Sequence, residues 1–403
     1  METNKSPKFL FIMFGALYFV QGVIQAYQLN FFKPHLDAEG ISADRIATLA
    51  GLALVPFMLK WIFGIISDRV NLFGKGYRVP YMVLGVLLCA IAFGSAYFIS
   101  PADQYSIMAA IILIGVSAMA LFDATADAFA VDIVEAEDYG RVQSVMTGGR
   151  AAGFIILSAI FGMAAARFGY SSIFLLMGLV ILFPLFMVFQ VKEPTKHTER
   201  EKFNWGAFKA LGRPNYLLFI AFQILAWTTF QGTDGLVTFY MSNELKIGPE
   251  MIGRYGMLKG LGLVIGALII GWVMKRFGIK TATLLTLSLV TVGGLLFSRI
   301  ADLNTILSVS IAWGIVVAFH WTVYAAFSMG ITDKRIAGSM FAILMTVGNI
   351  GLGLGELATG FVDTMGFSGV FSTVAVINLA LIPLLYIILR RFEKEKATLA
   401  QSA

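Results

Sequence analysis

Long apolar runs recur along this chain from end to end, and that recurrence limits its fold more than any other feature. A helix that crosses a bilayer needs about 20 apolar residues, and hydrocarbon offers no partner to a backbone N–H or C=O left unpaired. Twelve runs of roughly that length occur, at 9–32, 43–66, 79–99, 105–130, 142–166, 171–191, 216–241, 251–274, 281–300, 305–330, 336–362 and 369–389. They use most of the 403 residues and leave short loops and one longer linker. Only 13% of residues are charged and 58% are apolar. A soluble domain carries roughly 25% charged residues. An ordinary cytosolic enzyme, a disordered chain and a nucleic-acid binder are therefore excluded. The single cysteine, Cys89, lies inside an apolar run, so no disulfide framework or Cys-based metal site can form within the chain. The first run is too long for a signal-peptide core, no small-residue cleavage site follows it, and the N-terminus lacks a myristoylation glycine. It is expected to be the first membrane helix.

The basic residues set the orientation. With the N-terminus placed in the cytoplasm, inside loops and tails hold 21 of the 30 Lys and Arg, among them Arg69, Lys75, Arg78, Lys192, Lys196, Arg200, Lys202, Lys334 and Arg335. Outside loops hold six: Lys33, Arg45, Arg167, Lys246, Arg254 and Arg299. Cytoplasmic loops of membrane proteins carry an excess of Lys and Arg, so both termini are expected in the cytoplasm and the net charge of +6 needs no acidic partner.

The longest polar stretch, from Lys192-Glu193-Pro194 to Arg213, divides the chain into an expected six-helix bundle at 1–191, a cytoplasmic linker at 192–214 and a second bundle at 215–403. The halves echo one another. Gly64-Ile65-Ile66-Ser67-Asp68-Arg69 closes segment 2, and Gly271 to Gly278 closes segment 8. Met146-Thr147-Gly148-Gly149-Arg150 in segment 5 is matched by Met345-Thr346-Val347-Gly348-Asn349 in segment 11. Two echoes about half a chain apart suggest a duplicated unit in parallel orientation.

Gly64-x-x-Ser67-Asp68-Arg69 with its basic loop resembles the signature loop of the major facilitator superfamily. The resemblance covers essentially the whole chain. It implies an all-α membrane protein of 12 transmembrane helices in two pseudo-symmetric six-helix bundles. Pro56-x-x-x-Lys60 ahead of Asp68, the loop Phe73-Gly74-Lys75-Gly76-Tyr77-Arg78, and Asp123-x-x-x-Asp127-Ala128-x-x-x-Asp132 are similar to the branch of AmpG-type muropeptide permeases. So is Phe341-Ala342-Ile343-Leu344-Met345 with Asn349 and Glu356. Folate–biopterin, acetyl-CoA and some siderophore transporters stand near that branch. The Arg motif of segment 4 and the Gly-Pro motif of segment 5 that drug–proton antiporters carry are missing.

Seven ionisable side chains fall inside the runs: Lys60, Asp123, Asp127, Arg150, Asp234, Lys259 and Glu356. An isolated charge at the bilayer centre costs roughly 2.5–3.5 kcal/mol on the insertion scale, so seven unpaired charges would exceed a typical protein's net stability. They must pair, face water or bind something. Buried carboxylates can hold protons near neutral pH, so Asp123, Asp127, Asp234 and Glu356 are candidate proton-coupling residues. Asp123 and Asp127 are four residues apart and share one helix face. For Asp127 a gating role stays open beside transport. Asp68 and Asp132, with Lys60, Arg69 and Arg78, are read as gating residues, and for Lys60 pairing with Asp123 or Asp127 is favoured over attraction of a substrate.

Segments 1, 7 and 10 carry polar stripes: Tyr18, Gln21, Gln25 and Gln28; Trp227, Gln231, Asp234 and Thr238; Trp313, His320 and Tyr324. The resemblance implies that segments 1, 4, 7 and 10 line a central cavity. The stripes are therefore read as substrate-binding, with interhelical packing as the alternative, and so are Arg150 and Lys259, with internal pairing to Asp123, Asp127 or Glu356 as theirs. No zinc-binding histidine pair, nucleophile elbow or phosphate loop stands in a fitting context, so neither an enzyme nor a cofactor or metal is expected. The leading expectation is a monomeric secondary transporter of the cell membrane (the inner membrane in a bacterium). It would import a mid-sized polar or anionic organic solute, of the muropeptide, siderophore, pterin or CoA-ester class, by alternating access with protons, sodium being the alternative ion. An exporter or facilitator and a non-transporting membrane assembly factor are the other readings.

Overall fold

The computed structural model describes residues 5–74, 76–134, 138–193, 206–332 and 337–401. Lys75, Lys196, Arg200, Lys202, Lys334 and Arg335, counted above for orientation, lie outside the described residues. The described chain is helical, with no strand among the described residues. Among the described residues, eight helical stretches are long and apolar enough to cross a membrane, from Pro7–Ala38 to Ile343–Arg391. Two of them run 49 residues and bend where Gly278 and Gly366 take φ of 79° and 67°. A residue with a Cβ avoids that conformation, which breaks the α-helical ladder. These bends separate sequence segments 8 from 9 and 11 from 12. Ser172–Val188 is shorter. Pro214–Asn243 is 30 residues long but carries Gln223, Gln231, Asp234 and several threonines.

The chain divides into two compact units. Unit 1 comprises Met1–Ser42, Leu52–Glu201 and Met241–Gly260, and unit 2 comprises Ala43–Gly51, Lys202–Tyr240 and Leu261–Ala403. In unit 1, α1 (Pro7–Ala26) starts at Ser6, whose hydroxyl accepts from Phe9 N, with Pro7 pre-set in the first turn. A π-helical turn follows at Tyr27–Phe31 before α2 (Phe32–Ala38). Pro34 cannot donate to the carbonyl of Asn30, and the ladder widens just ahead of it.

Sequence segment 2 is broken into α3 (Ala43–Leu52), α4 (Val55–Met58) and α5 (Lys60–Arg69), because Pro56 has no N–H to continue the ladder. The break makes Lys60 the first residue of α5. Next come α6 (Val79–Ser95), α7 (Tyr105–Ile133) and α8 (Tyr139–Phe168). Sequence segment 6 is split into α9 (Ser172–Ile181) and α10 (Leu185–Val188). The crossing of α1 and α8 is backbone to backbone: a Cβ on Gly22 would overlap Arg150 O, and one on Gly149 would overlap Gly15 O. Small residues permit that approach where larger ones would hold the helices apart.

After α11 (Gly206–Leu211), unit 2 is built on α12 (Pro214–Asn243), the part of α13 (Pro249–Phe297) beyond Gly260, α14 (Leu303–Ile331), α15 (Ala337–Glu356) and α16 (Val362–Gln401). Asp302 caps α14. Its carboxylate accepts from the hydroxyl and backbone N–H of Thr305, which holds it below the usual carboxylate range. Buried Asn378 of α16 donates to Leu287 O at 2.8 Å and accepts from Thr229 Oγ1 at 2.8 Å, tying α12, α13 and α16 together.

Candidate functional site

The tight α1–α8 crossing fixes where Tyr18, Gln21 and Arg150 stand, and the proline break ahead of Lys60 turns α5 toward α7. Four helices of unit 1 thereby bring together one polar cluster. Lys60 Nζ lies between the two carboxylates of α7, bonded to Asp123 and, at 2.7 Å, to Asp127. The Tyr18 hydroxyl donates to the other oxygen of Asp127, and the Gln21 amide donates to Asp123. The Arg150 guanidinium lies over the Tyr18 ring, 5.2 Å from its centroid, a cation–π contact. Asp123 is 8% exposed, whereas the Asp127 side chain keeps 37% of its exposure, so the pair has an inner and an outer member. Gln25 and Gln28 are half-buried on the turns beyond and are not drawn into the cluster.

A second network lies at the other end of α5 and α7. Arg78, only 1% exposed, donates from Nε to Asp132 at 2.7 Å, from Nη1 to Ser67 Oγ at 2.8 Å, and from Nη2 to Asp68. Burial opposes the charged guanidinium, but its bonds to Asp132 and Asp68 outweigh that and hold it charged more firmly than an ordinary arginine. Arg69 is exposed and Lys60 bonds to Asp123 and Asp127 instead; among the described residues Arg78 is bonded to both Asp68 and Asp132.

Sequence reasoning missed Glu193. Its carboxylate accepts from the backbone N–H of Tyr77, Arg78 and Val79 at 2.8, 3.0 and 3.2 Å, capping the N-terminus of α6 from a point 114 or more residues away. An anion is favoured there because the first N–H groups of a helix have no partner within it. The only signal was an acid beside Pro194 where the apolar run ends.

The stripes of α12 and α14 meet within unit 2, and there they form an aromatic cluster. The His320 ring lies flat on Phe230 at 4.0 Å between centroids, with Trp227 edge-on at 4.5 Å and Tyr324 at 4.5 Å. Trp227 and His320 are 2% and 0% exposed, and Tyr324 is 0% exposed. Among the described residues, neither His320 ring nitrogen has a hydrogen-bond partner, nor do Trp227 Nε1 and the Tyr324 hydroxyl. Deeper in the same unit, Trp313 donates to Asp234 at 2.7 Å and Gln231 donates to Glu356 at 2.7 Å. Lys259, 2% exposed, belongs to unit 1, with its ammonium 5.6 Å from the Tyr255 ring centroid. Among the described residues no group of three His, Cys, Asp or Glu is placed to hold a metal ion.

A lysine between two carboxylates inside apolar helices is a set of groups that can take up or release a proton. The sequence matches the Major Facilitator Superfamily over residues 9–356 and 223–402. Among curated proteins it is 26% identical over 312 residues to the folate-biopterin transporter of Synechocystis, an alignment covering 70% of this chain and 61% of that protein. To the anhydromuropeptide permease of Escherichia coli K12 it is 22% identical over 369 residues, covering 87% of this chain and 74% of that one. Among solved structures it superposes on a mutant of the nucleoside transporter NupG with a TM-score of 0.80 at 14% identity, over 94% of this chain and 99% of that one. A bacterial homologue of the human lysosomal transporter Spinster gives 0.71 at 13% identity, over 96% of each chain. The helical fold and the span of the family match agree with the resemblance drawn from Gly64-x-x-Ser67-Asp68-Arg69. The chain belongs to the Major Facilitator Superfamily and is a multi-pass membrane protein.

Proposed function

We propose that this chain is a proton-coupled importer of an organic solute that carries an anionic group, of the pterin or muropeptide class, working by alternating access. The observation that carries the reading is Lys60 bonded to both Asp123 and Asp127, with Tyr18 and Gln21 on the outer flanks of the pair. Two carboxylates around one lysine give a site that can take up a proton, and in a low-dielectric span any uncompensated charge is expensive to carry across. Asp234 accepts from Trp313 and Glu356 accepts from Gln231, and both rank below the lysine-bonded pair as proton carriers. Tyr18, Gln21 and Arg150 are the first candidates for solute contact, with Gln25, Gln28, Lys259 and the α12 and α14 stripes behind them.

In this reading the bundles 1–191 and 215–403 move against each other on the 192–214 linker, both termini are cytoplasmic, and the protein acts as a monomer. The Arg78 network with Asp68, Asp132 and Glu193 is the cytoplasmic latch, because it ties the loop after α5 to α7 in one arrangement. The relatives named for folate-biopterin and anhydromuropeptide transport narrow the solutes to be tried first.

The test is uptake into proteoliposomes under an imposed pH gradient, with folate, biopterin and an anhydromuropeptide as probes. Accumulation of at least one probe that a protonophore collapses, and that a sodium gradient does not replace, is expected. Uptake indifferent to the gradient would make the protein a facilitator.

A further inference from the structure

The formal charges of the unit 1 cluster balance: Lys60 and Arg150 against Asp123 and Asp127. They are not equally engaged. Lys60 holds both carboxylates, whereas among the described residues no carboxylate lies within ion-pair distance of Arg150. Its guanidinium is half-buried and faces a tyrosine ring. A guanidinium carries five N–H donors in a fork that matches a carboxylate or phosphate, and a ring face satisfies none of them as a hydrogen bond.

We propose that Arg150 takes one carboxylate group of the solute while the Asp123–Asp127 pair takes one proton, and that Tyr18 links the two events. The proposal rests on the proton-coupled reading above and adds the chemistry of the solute and the route of coupling. The charge argument fixes the stoichiometry. A carboxylate arriving at Arg150 takes the balanced cluster to a net charge of minus one. One proton bound to Asp127 or Asp123 restores neutrality for the one carboxylate that Arg150 takes, so the cluster with that group carries the same charge loaded as unloaded. No bond other than O–H is made or broken, and the proton comes from the side from which the solute enters. The titratable and charged groups that face the pair are Lys60 from α5, Tyr18 from α1 and Arg150 from α8. Tyr18 is placed to report one event to the other, because its ring lies under Arg150 and its hydroxyl donates to Asp127. Drawing the guanidinium onto a carboxylate disturbs its seat on the ring, and protonating Asp127 removes a charged acceptor from the hydroxyl.

The experiment uses the full chain in nanodiscs with folate and biopterin as probes. Both carry a pterin ring, and only folate carries carboxylates. Wild type should bind folate with uptake of about one proton, read with a pH indicator in weak buffer, and bind biopterin with none. Arg150→Gln should lose folate affinity by about 10- to 100-fold, the worth of a charge-assisted pair, and keep biopterin, which also shows that the variant is folded. Arg150→Lys should recover part of the loss. Tyr18→Phe keeps the ring and loses the hydroxyl. It should uncouple the two events, so that the folate it still binds brings less than the wild-type uptake of protons. A tyrosine that only packed would leave the number of protons per bound folate unchanged.

Equal folate binding by Arg150→Gln and wild type, or folate binding without proton uptake, overturns the proposal while leaving transport intact. If neither pterin binds, the same comparison is made with an anhydromuropeptide and its amidated form. A protein that binds none of the four overturns the pterin or muropeptide reading of the solute on which the proposal stands.

Discussion

In unit 1, Lys60 sits between Asp123 and Asp127 with Arg150 over Tyr18, whereas in unit 2 His320 lies flat on Phe230 against the rings of Trp227 and Tyr324. Both clusters come from polar stripes on apolar helices, and both are largely buried. The first consists of charges that satisfy one another, so removing any member strands its partner. The second consists of neutral rings held by packing, and its polar atoms have little to lose. Sensitivity to pH and to single charge changes should therefore concentrate in unit 1, while unit 2 should respond to volume and shape.

The largest effect that sharpens this contrast is expected from Lys60→Met. It leaves two carboxylates uncompensated, and breaking a buried ion pair costs about 3–5 kcal/mol. Because the Lys60 and Asp127 side chains keep 30% and 37% of their exposure, the low end, about 3 kcal/mol, is expected in thermal unfolding in detergent near neutral pH. Acidification should recover part of the loss, since protonated carboxyls no longer need the lysine. Loss that is the same at every pH would mean that Lys60 acts through packing.

Gly149→Ala comes next. Its methyl group would overlap the Gly15 carbonyl, and overpacking of that kind costs about 1–3 kcal/mol. If the crossing of α1 and α8 positions Tyr18 over Arg150, this variant should also weaken solute binding, although it touches neither side chain. Glu193→Gln should be milder, about 1 kcal/mol, the scale of a helix cap and its charge. Hydrogen exchange at Tyr77, Arg78 and Val79 would register the change, and unaltered protection there would remove Glu193 from the latch. Smallest is His320→Phe. Replacing a buried ring whose nitrogens bond nothing among the described residues with an apolar ring should change stability by less than about 1 kcal/mol in either direction. A loss comparable to that of Lys60→Met would break the contrast between the units.

Much of this was legible before any coordinates. The apolar runs mark the helices, and the cost of intramembrane charge singles out seven side chains, of which Lys60, Asp123, Asp127 and Arg150 meet in unit 1 while Asp234, Lys259 and Glu356 stand elsewhere. The preference for Lys60 pairing with the aspartates matches the geometry. The motifs point to Asp68 and Asp132 as gating residues beside Arg69 and Arg78, and among the described residues it is Arg78 that is bonded to both acids. What stayed hidden depends on which helices touch. Tyr18 and Asp127 lie 109 residues apart, and nothing in either neighbourhood says that α1 leans on α7. Glu193 reads as a linker acid because its partners are backbone groups, which leave no trace in the sequence. The stripe on α1 reads as continuous from Tyr18 to Gln28, yet the cluster stops at Gln21. The segment 10 stripe reads as cavity-lining, yet His320 and Tyr324 are wrapped in rings, because helical periodicity marks a shared face without saying what covers it.

The sequence treats Asp123 and Asp234 alike, as buried acids on polar stripes. The structure separates them, since Asp123 is bonded to a lysine and Asp234 accepts from the Trp313 indole, a bond that an asparagine carbonyl can also accept. Solute accumulation driven by a pH gradient, measured beside gradient-free exchange in proteoliposomes, tests this most directly. Asp123→Asn should abolish accumulation and retain exchange, while Asp234→Asn retains both. Full accumulation by Asp123→Asn would contradict the assignment of the unit 1 cluster as the proton-handling site.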